Sequence, residues 1–192
     1  MKIAVFLIAA CAMTTGAMAQ TFNMTVEQFR AGFDVHAKND SQLPNEAATI
    51  KSITKLNPTT YRATFNDASF KRMVKMWKEI DVANGRFALK DRLELKTGDG
   101  GKLVKVAISS SRSDMNLFHF LGTFASTARV FNPSASEQQI QDLIKEVGVM
   151  SGDDDPKIGT IRSSFTKGAA VACLSQPSNL STDVACAFTP RF

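Results

Sequence analysis

Residues 113–148 read SDMNLFHFLGTFASTARVFNPSASEQQIQDLIKEVG, and this pattern predicts two consecutive helices. The first extends over Asp114–Phe131 and is apolar around most of its circumference, as is typical of a helix buried at the centre of a domain. Ser113 is placed to cap its start, and Asn132-Pro133 ends it. We therefore expect a buried helix followed directly by a second one.

The second helix carries its own boundary signals. Ser134 and Glu137 fit a capping box at its start, and Gly148 fits the C′ position of a Schellman motif at its end. Its apolar stripe consists of Ile140, Leu143, Ile144 and Val147. The two helices are thus predicted to form a helix hairpin.

A helix is also expected near the N-terminus, ending near Lys38. Thr25 and Gln28 fit a capping box. The side chains predicted to share its apolar face are Val26, Phe29, Phe33 and Ala37. Residues 69–83 have apolar side chains at helical spacing, which favours another helix, but Asn84-Gly85 also fits the turn of a long hairpin. Both alternatives stay open.

The remaining segments have the composition and alternation of β-strands. The predicted strands are Thr49–Leu56, Thr59–Phe65, Arg86–Lys96, Lys102–Ser109, Ile158–Thr166, Ala169–Ser175 and Thr182–Thr189. Antiparallel runs of strands with helices grouped between them are typical of the α+β class. We expect a mostly antiparallel sheet packed on the helix hairpin and the N-terminal helix.

The first 19 residues have the pattern of a cleavable signal peptide. Lys2 is followed by the uncharged apolar run Ile3–Met13 and by the small-x-small site Ala17-Met18-Ala19. We expect cleavage after Ala19, a single α+β domain over residues 20–192, and a periplasmic location. Lipoprotein processing at Cys11 and a buried N-terminal helix are the alternatives. No other segment is long and apolar enough to span a bilayer, so no transmembrane anchor is expected after cleavage.

Cys173 and Cys186 are predicted to form a disulfide. An even pair of cysteines fits an oxidising compartment. If Ser175 pairs with Val184 on two antiparallel strands, then Cys173 lies directly opposite Cys186, at a distance that a disulfide allows. Two buried free thiols are the alternative, and a metal site is not expected because the histidines lie far away in sequence.

No catalytic motif stands out, so we predict no enzymatic activity and no cofactor. The tripeptide Ser109–Ser111 is explained by turns and capping, and His119 fits a satisfied histidine of the core. His36 lies near the end of the N-terminal helix, where a partial positive charge suits the helix dipole. The run Asp153–Asp155 lacks the spacing of a calcium loop and is typical of a solvated loop, with cation binding as the alternative.

The uneven distribution of charge is the one chemical asymmetry. The chain has a formal net charge of +5, and residues 71–105 contain ten basic but only five acidic residues. The basic side chains predicted to face solvent are Lys71, Arg72, Lys75, Lys78, Arg86, Lys90, Arg92 and Lys96. An ordinary solvated face is one interpretation, and a docking surface for an acidic protein or an anionic envelope component is the other. Nucleic acid is not expected after export.

The order of elements resembles that of small exported α+β proteins of Gram-negative bacteria. The segments behind this resemblance are the leader, Met24–Phe29 opening a helix, the Phe-rich helix ending at Asn132-Pro133, and Glu146–Val149 before the last strands. A helix hairpin followed by an antiparallel sheet with one disulfide also resembles the repeat of secreted β-lactamase-inhibitor-like proteins. Periplasmic immunity proteins and lysozyme inhibitors have the same general style. The resemblance implies an inhibitor or immunity protein for an envelope-acting enzyme, and it transfers no functional residue. The alternatives are an envelope or lipid-associated structural protein and a hydrolase.

Overall fold

The computed structural model describes residues 20–41, 47–68, 70–71, 91–110, 114–151, 154–176 and 184–191. The helices in this part are α1 (Val26–Asn39), α2 (Asp114–Phe131) and α3 (Glu137–Glu146). The strands are β1 (Ile50–Asn57), β2 (Thr60–Phe65), β3 (Arg92–Thr97), β4 (Leu103–Ser110), β5 (Ile161–Thr166), β6 (Ala169–Ser175) and β7 (Val184–Pro190). The predicted α+β class is therefore confirmed. The signal-peptide prediction for residues 1–19 lies outside the described residues, as does most of the 69–83 segment, in which Phe70 and Lys71 are helical.

The seven strands form one sheet in the order β1-β2-β3-β4-β7-β6-β5, and each neighbouring pair is antiparallel. Two meanders, β1 to β4 and β5 to β7, are joined where β4 pairs with β7. The central pairs of that junction include Val106 with Phe188 and Ile108 with Cys186. Two segments that are distant in sequence thus become neighbours at the centre of the sheet.

The core lies between the helices and one face of the sheet. Phe188 of β7 contacts Phe124 of α2 with ring centroids 5.2 Å apart, and Phe131 at the end of α2 lies 5.8 Å from Phe188. Phe131 also lies 6.0 Å from Phe29 of α1, which brings all three elements together. Each buried aromatic side chain of this kind stabilises the fold by about 1.5–3 kcal/mol.

The start of α1 is confirmed, whereas the predicted start of α3 is wrong by two residues. The hydroxyl of Thr25 accepts from the Gln28 amide at 3.2 Å, and the Gln28 side chain accepts from the Thr25 amide at 2.9 Å. In α3 the same reciprocal bonds join Ser136 and Gln139 instead. Ser134 takes part in a turn, in which its hydroxyl bonds to the Asn132 side chain at 3.2 Å.

The end of α3 has the predicted Schellman geometry. Gly148 adopts φ +69°, and its amide and that of Val149 bond to the carbonyls of Lys145 and Ile144. Arg162 of β5 donates to the carbonyl of Glu146, which takes no part in the Schellman bonds, and adds a further hydrogen bond to the carbonyl of Lys145. A Cβ atom on Gly148 would lie 2.6 Å from the Arg162 guanidinium, which would have to shift from its hydrogen bonds at the helix end.

Several predicted strand limits are corrected. The prediction that β5 begins at Ile158 is wrong, because residues 154–160 form turns, with the Thr160 hydroxyl donating to the Lys157 carbonyl at 2.6 Å. Ser109 and Ser110 belong to β4 and not to a capping turn. The described part of the strand predicted for Arg86–Lys96 begins at Arg92.

Candidate functional site

The sheet has one covered and one open face in the described part of the chain. The helices contribute their buried side chains to a single core, together with the inward-pointing strand residues such as Leu93, Ile108 and Val171. Alternate residues of each strand point the opposite way. No described helix packs on that opposite side, which we call the open face.

Residues on the open face align in rows across the sheet. One row runs from Arg62 on β2 to Ser163 on β5 through directly opposed residues. Its members, in order, are Arg62, Glu94, Ala107, Ala187, Ala172 and Ser163. A second row begins with Arg92 and Ser109, and ends with Leu174 and Ile161. The rows divide the open face into two halves. The charged half lies on β2, β3 and the Lys105 end of β4, and the small, apolar half begins at Ala107 of β4 and continues over β7, β6 and β5.

The apolar half is built largely from alanine. Its five alanines are Ala107, Ala170, Ala172, Ala185 and Ala187. At its edge, Ile161 and Phe165 on β5 are 58% and 61% exposed. Alanine is uncommon in strands because its small side chain makes few packing contacts. Strand propensity therefore does not account for five alanines at these positions. Ala187 is itself buried and the other four alanines are half-buried, so the most accessible apolar side chains of this half are Ile161 and Phe165. Alanine side chains lose no rotamer freedom on contact.

The charged half contains an unfavourable pair of lysines. Lys96 of β3 lies directly opposite Lys105 of β4, and neither forms an ion pair with a described residue. Like charges directly opposed in a sheet are destabilising. The nearest carboxylate on this face, Glu94, is already paired with Arg62 at 2.8 Å. The open face therefore retains a concentration of positive charge that the fold itself does not neutralise.

The structure locates three of the eight basic residues predicted to bind. Arg92 and Lys96 lie on the open face of β3. Lys71 is not part of a described strand, and its ammonium group pairs with Asp67 at 3.0 Å. The other five, which are Arg72, Lys75, Lys78, Arg86 and Lys90, lie outside the described residues. Arg62 and Lys105 were missed as candidates because only strand pairing places them beside Arg92 and Lys96.

A buried polar cluster lies on the covered side of the sheet. The carboxylate of Asp91 accepts a hydrogen bond from the Ser110 hydroxyl and another from Nδ1 of His119, at 2.5 Å. The side chains of Asp91 and His119 are each only 2% exposed. Nε2 of His119 has no hydrogen-bond partner among the described residues. Sequence analysis predicted a core histidine with its hydrogen bonds made. This is correct for Nδ1 and wrong for Nε2.

This cluster does not have the order of a nucleophilic triad. In such a triad the histidine lies between the carboxylate and the hydroxyl, so that it can remove the hydroxyl proton. Here the carboxylate of Asp91 lies between Ser110 and His119, and the serine hydroxyl donates to it. The geometry is that of a buried hydrogen-bonded support between β4 and α2.

The other polar candidates are tied into the structure. Asp155 contacts Ser151 and Arg162, and the hydrogen bond from the Ser151 hydroxyl is the main cause that holds the pKa of Asp155 below its ordinary value. Burial lowers the pKa of His36, against the opposing effect of Asp40, so the expected positive charge at the end of α1 is disfavoured. Among the described residues no three potential ligands are grouped to hold a metal ion.

Comparisons with known proteins give no further guide. No family model, curated protein or solved structure matches this chain. Of the helices in the described ranges, none has the length and apolar character needed to cross a membrane. The function has to be inferred from the surfaces themselves.

Proposed function

We propose that this chain is an exported, non-enzymatic binding protein that docks an acidic protein on its open face. The observation that carries the proposal is the opposed pair Lys96 and Lys105, next to a strip of alanines. A partner carboxylate placed between the two ammonium groups would replace repulsion by attraction. The alanine strip would then lie against an apolar surface of the same partner.

The two halves of the open face suit different stages of binding. Positive charge speeds the encounter with an acidic partner and selects against basic ones. Burial of the apolar half, including Ile161 and Phe165, supplies the hydrophobic contribution once the surfaces meet. This division suits a protein partner, whose surface can present carboxylates and an apolar patch side by side at fixed positions.

The class of partner follows from the proposed compartment. A binding protein in the periplasm is suited to act as an inhibitor or immunity protein for an envelope-acting enzyme. Cys173 and Cys186 form a disulfide, which is compatible with an oxidising compartment.

Export predicts a defined mature terminus. Protein recovered from the periplasm should begin at Gln20, because a signal peptidase cleaves after a small-x-small site such as Ala17–Ala19. N-terminal sequencing and intact mass would test this, with allowance for cyclisation of the terminal glutamine. A chain that starts at an acylated Cys11, or one that still starts at Met1, would contradict it.

Reversing one charge on the open face should weaken binding without weakening the fold. In Lys96→Glu, the new carboxylate faces Lys105, and an opposite-charge pair stabilises a sheet by about 0.2–1 kcal/mol. Binding of an acidic partner should nevertheless fall about tenfold or more, mainly through slower association at low salt. Lys157→Glu is the matched control, because Lys157 is an exposed residue of the turn before β5.

The measurement combines capture with kinetics. Wild type and both variants are used to capture proteins from a periplasmic extract, and the protein retained by wild type and by Lys157→Glu is then used to measure association rates at several salt concentrations. Loss of that one protein in Lys96→Glu, with an unchanged or higher unfolding free energy, would support docking on this face. Equal capture by all three chains, or saturable binding to phosphatidylglycerol vesicles in place of a protein, would overturn the proposal.

A further inference from the structure

A second candidate site lies in the helix layer, away from the open face. A cavity of about 670 Å³ is bounded by the end of α1, one face of α2, and α3. This volume lies in the range of about 300–1,000 Å³ that is common for small-molecule sites. Its walls are mainly apolar, with Leu121, Ile140 and Ile144 among them. Two further wall residues, Phe118 and Met150, are 61% and 55% exposed.

A glycine inside α2 keeps this space open. Gly122 lines the cavity, and a Cβ atom built on it would have no heavy atom within 4 Å. Glycine in the interior of a helix costs about 0.8–1.0 kcal/mol relative to alanine, and no turn or close contact requires it here. The helix therefore contains an unfavourable residue at a position where a side chain would begin to fill the cavity.

The charges around the cavity are balanced. Arg129 is a lining residue whose guanidinium donates to both Asp40 and Glu137, at 2.7 Å in the second case. Arg129, Asp40 and Glu137 together carry one net negative charge. Lys145, which is exposed and also lines the cavity, adds one positive charge that offsets it. The walls of the cavity therefore carry no net charge that would attract a strongly charged ligand.

Two further polar residues, His119 and Ser126, also line the cavity, and both are buried. Asp91 accepts from Nδ1, which fixes the proton of a neutral imidazole on that nitrogen and leaves Nε2 as an acceptor. Nε2 is buried and has no partner among the described residues. A hydroxyl or N–H group of a ligand is the chemical complement of this atom.

We infer that this cavity binds an uncharged, mainly apolar small molecule that carries one hydroxyl or N–H donor. The apolar walls and Gly122 provide the space, and His119 Nε2 provides a buried acceptor without a partner among the described residues. The inference is independent of protein docking on the open face, because it involves other residues on the other side of the sheet.

Binding of N-phenyl-1-naphthylamine tests the site directly. This fluorescent probe is uncharged, apolar and has one N–H group. We expect saturable binding of one molecule per chain to the protein as the cell processes it. Gly122→Leu should abolish this binding because the new side chain enters the cavity, whereas Gly122→Ala should retain it and fold at least as stably. Absence of saturable binding to wild type, or equal binding to Gly122→Leu, would overturn the inference.

Competition against the bound probe tests the ligand chemistry. The competitors are 2-naphthol, which has a donor, 2-methoxynaphthalene, which has none, and 2-naphthoate, which is anionic. We expect 2-naphthol to compete with a dissociation constant about tenfold lower than that of the methoxy compound, as one hydrogen bond to a buried acceptor allows. Equal competition by these two would overturn the role of His119. Stronger competition by 2-naphthoate would show that Lys145 anchors an anion and would overturn the inference of an uncharged ligand.

Discussion

Replacing Asp91 with alanine should lower the free energy of unfolding by about 2–5 kcal/mol, which is a large share of the stability of about 5–15 kcal/mol typical of such domains. The Asp91 carboxylate is 2% exposed and accepts from both Ser110 and His119. Its removal leaves two buried donors without partners. It also releases the link between the end of β4 and the helix α2 above it.

The asparagine variant gives a graded comparison. In Asp91→Asn the side-chain carbonyl can still accept from Nδ1 of His119, and the Ser110 hydroxyl can rotate to accept from the new amide. The loss of stability should therefore be smaller than in Asp91→Ala. Urea unfolding measures both changes, with Asp142→Ala as the control, since Asp142 is exposed on α3 and should change stability by less than about 0.5 kcal/mol. A value for Asp91→Ala equal to that of the control would contradict a structural role for the cluster.

Features governed by neighbouring residues could be predicted from the sequence. The capping box of α1, the limits of α2 and the Schellman end of α3 each depend on a few consecutive side chains. The start of α3 shows where this approach fails. Both Ser134 and Ser136 have Glu or Gln three residues later, and the choice between them depends on the turn that follows Pro133. With Ser136 as the cap, Glu137 is free to pair with Arg129.

Features that depend on strand order could not be predicted. The basic side chains of β3 were recognised as exposed, yet the alanine strip beside them is created by the pairing of β4 with β7, whose residues lie far apart in sequence. The same is true of the cluster of Asp91, Ser110 and His119, which lie just before β3, at the end of β4 and in α2. The candidate docking surface is thus a property of the assembled sheet, whereas its positive charge was visible in the sequence alone.

The pairing of Cys173 with Cys186 is the exception among the long-range features. The pair of cysteines outside the predicted leader and the alternation of two short strands were enough to specify the register, and the structure confirms Ser175 opposite Val184 and Cys173 opposite Cys186. The two sulfur atoms are bonded, with Cα atoms 4.1 Å apart. Both cysteines are almost fully buried, and they lie against the same core as Val171 and Phe188.

Removal of this disulfide should lower the free energy of unfolding by about 3 kcal/mol, the chain-entropy value for a closed loop of this length. The double variant Cys173→Ala/Cys186→Ala loses the covalent link together with some buried volume. Wild type that has been reduced under denaturing conditions and then refolded with its thiols intact loses only the link. The free energies of unfolding in urea of the double variant and of the reduced wild type therefore separate the effect of the cross-link from that of packing. We expect the reduced wild type to be the more stable of these two proteins.

The oxidation state can be tested on the same material. Thiol titration of denatured, unreduced protein from the periplasm should find no free thiol on Cys173 or Cys186, because the bond lies inside the core where reductants reach it only after unfolding. The bond also ties β6 to β7, and β7 is the strand that joins the two meanders through β4. Its loss should therefore increase hydrogen exchange in both of those strand pairs before it affects β1 and β2. Two titratable thiols, or exchange that increases equally across the whole sheet, would show that the disulfide does not stabilise this junction.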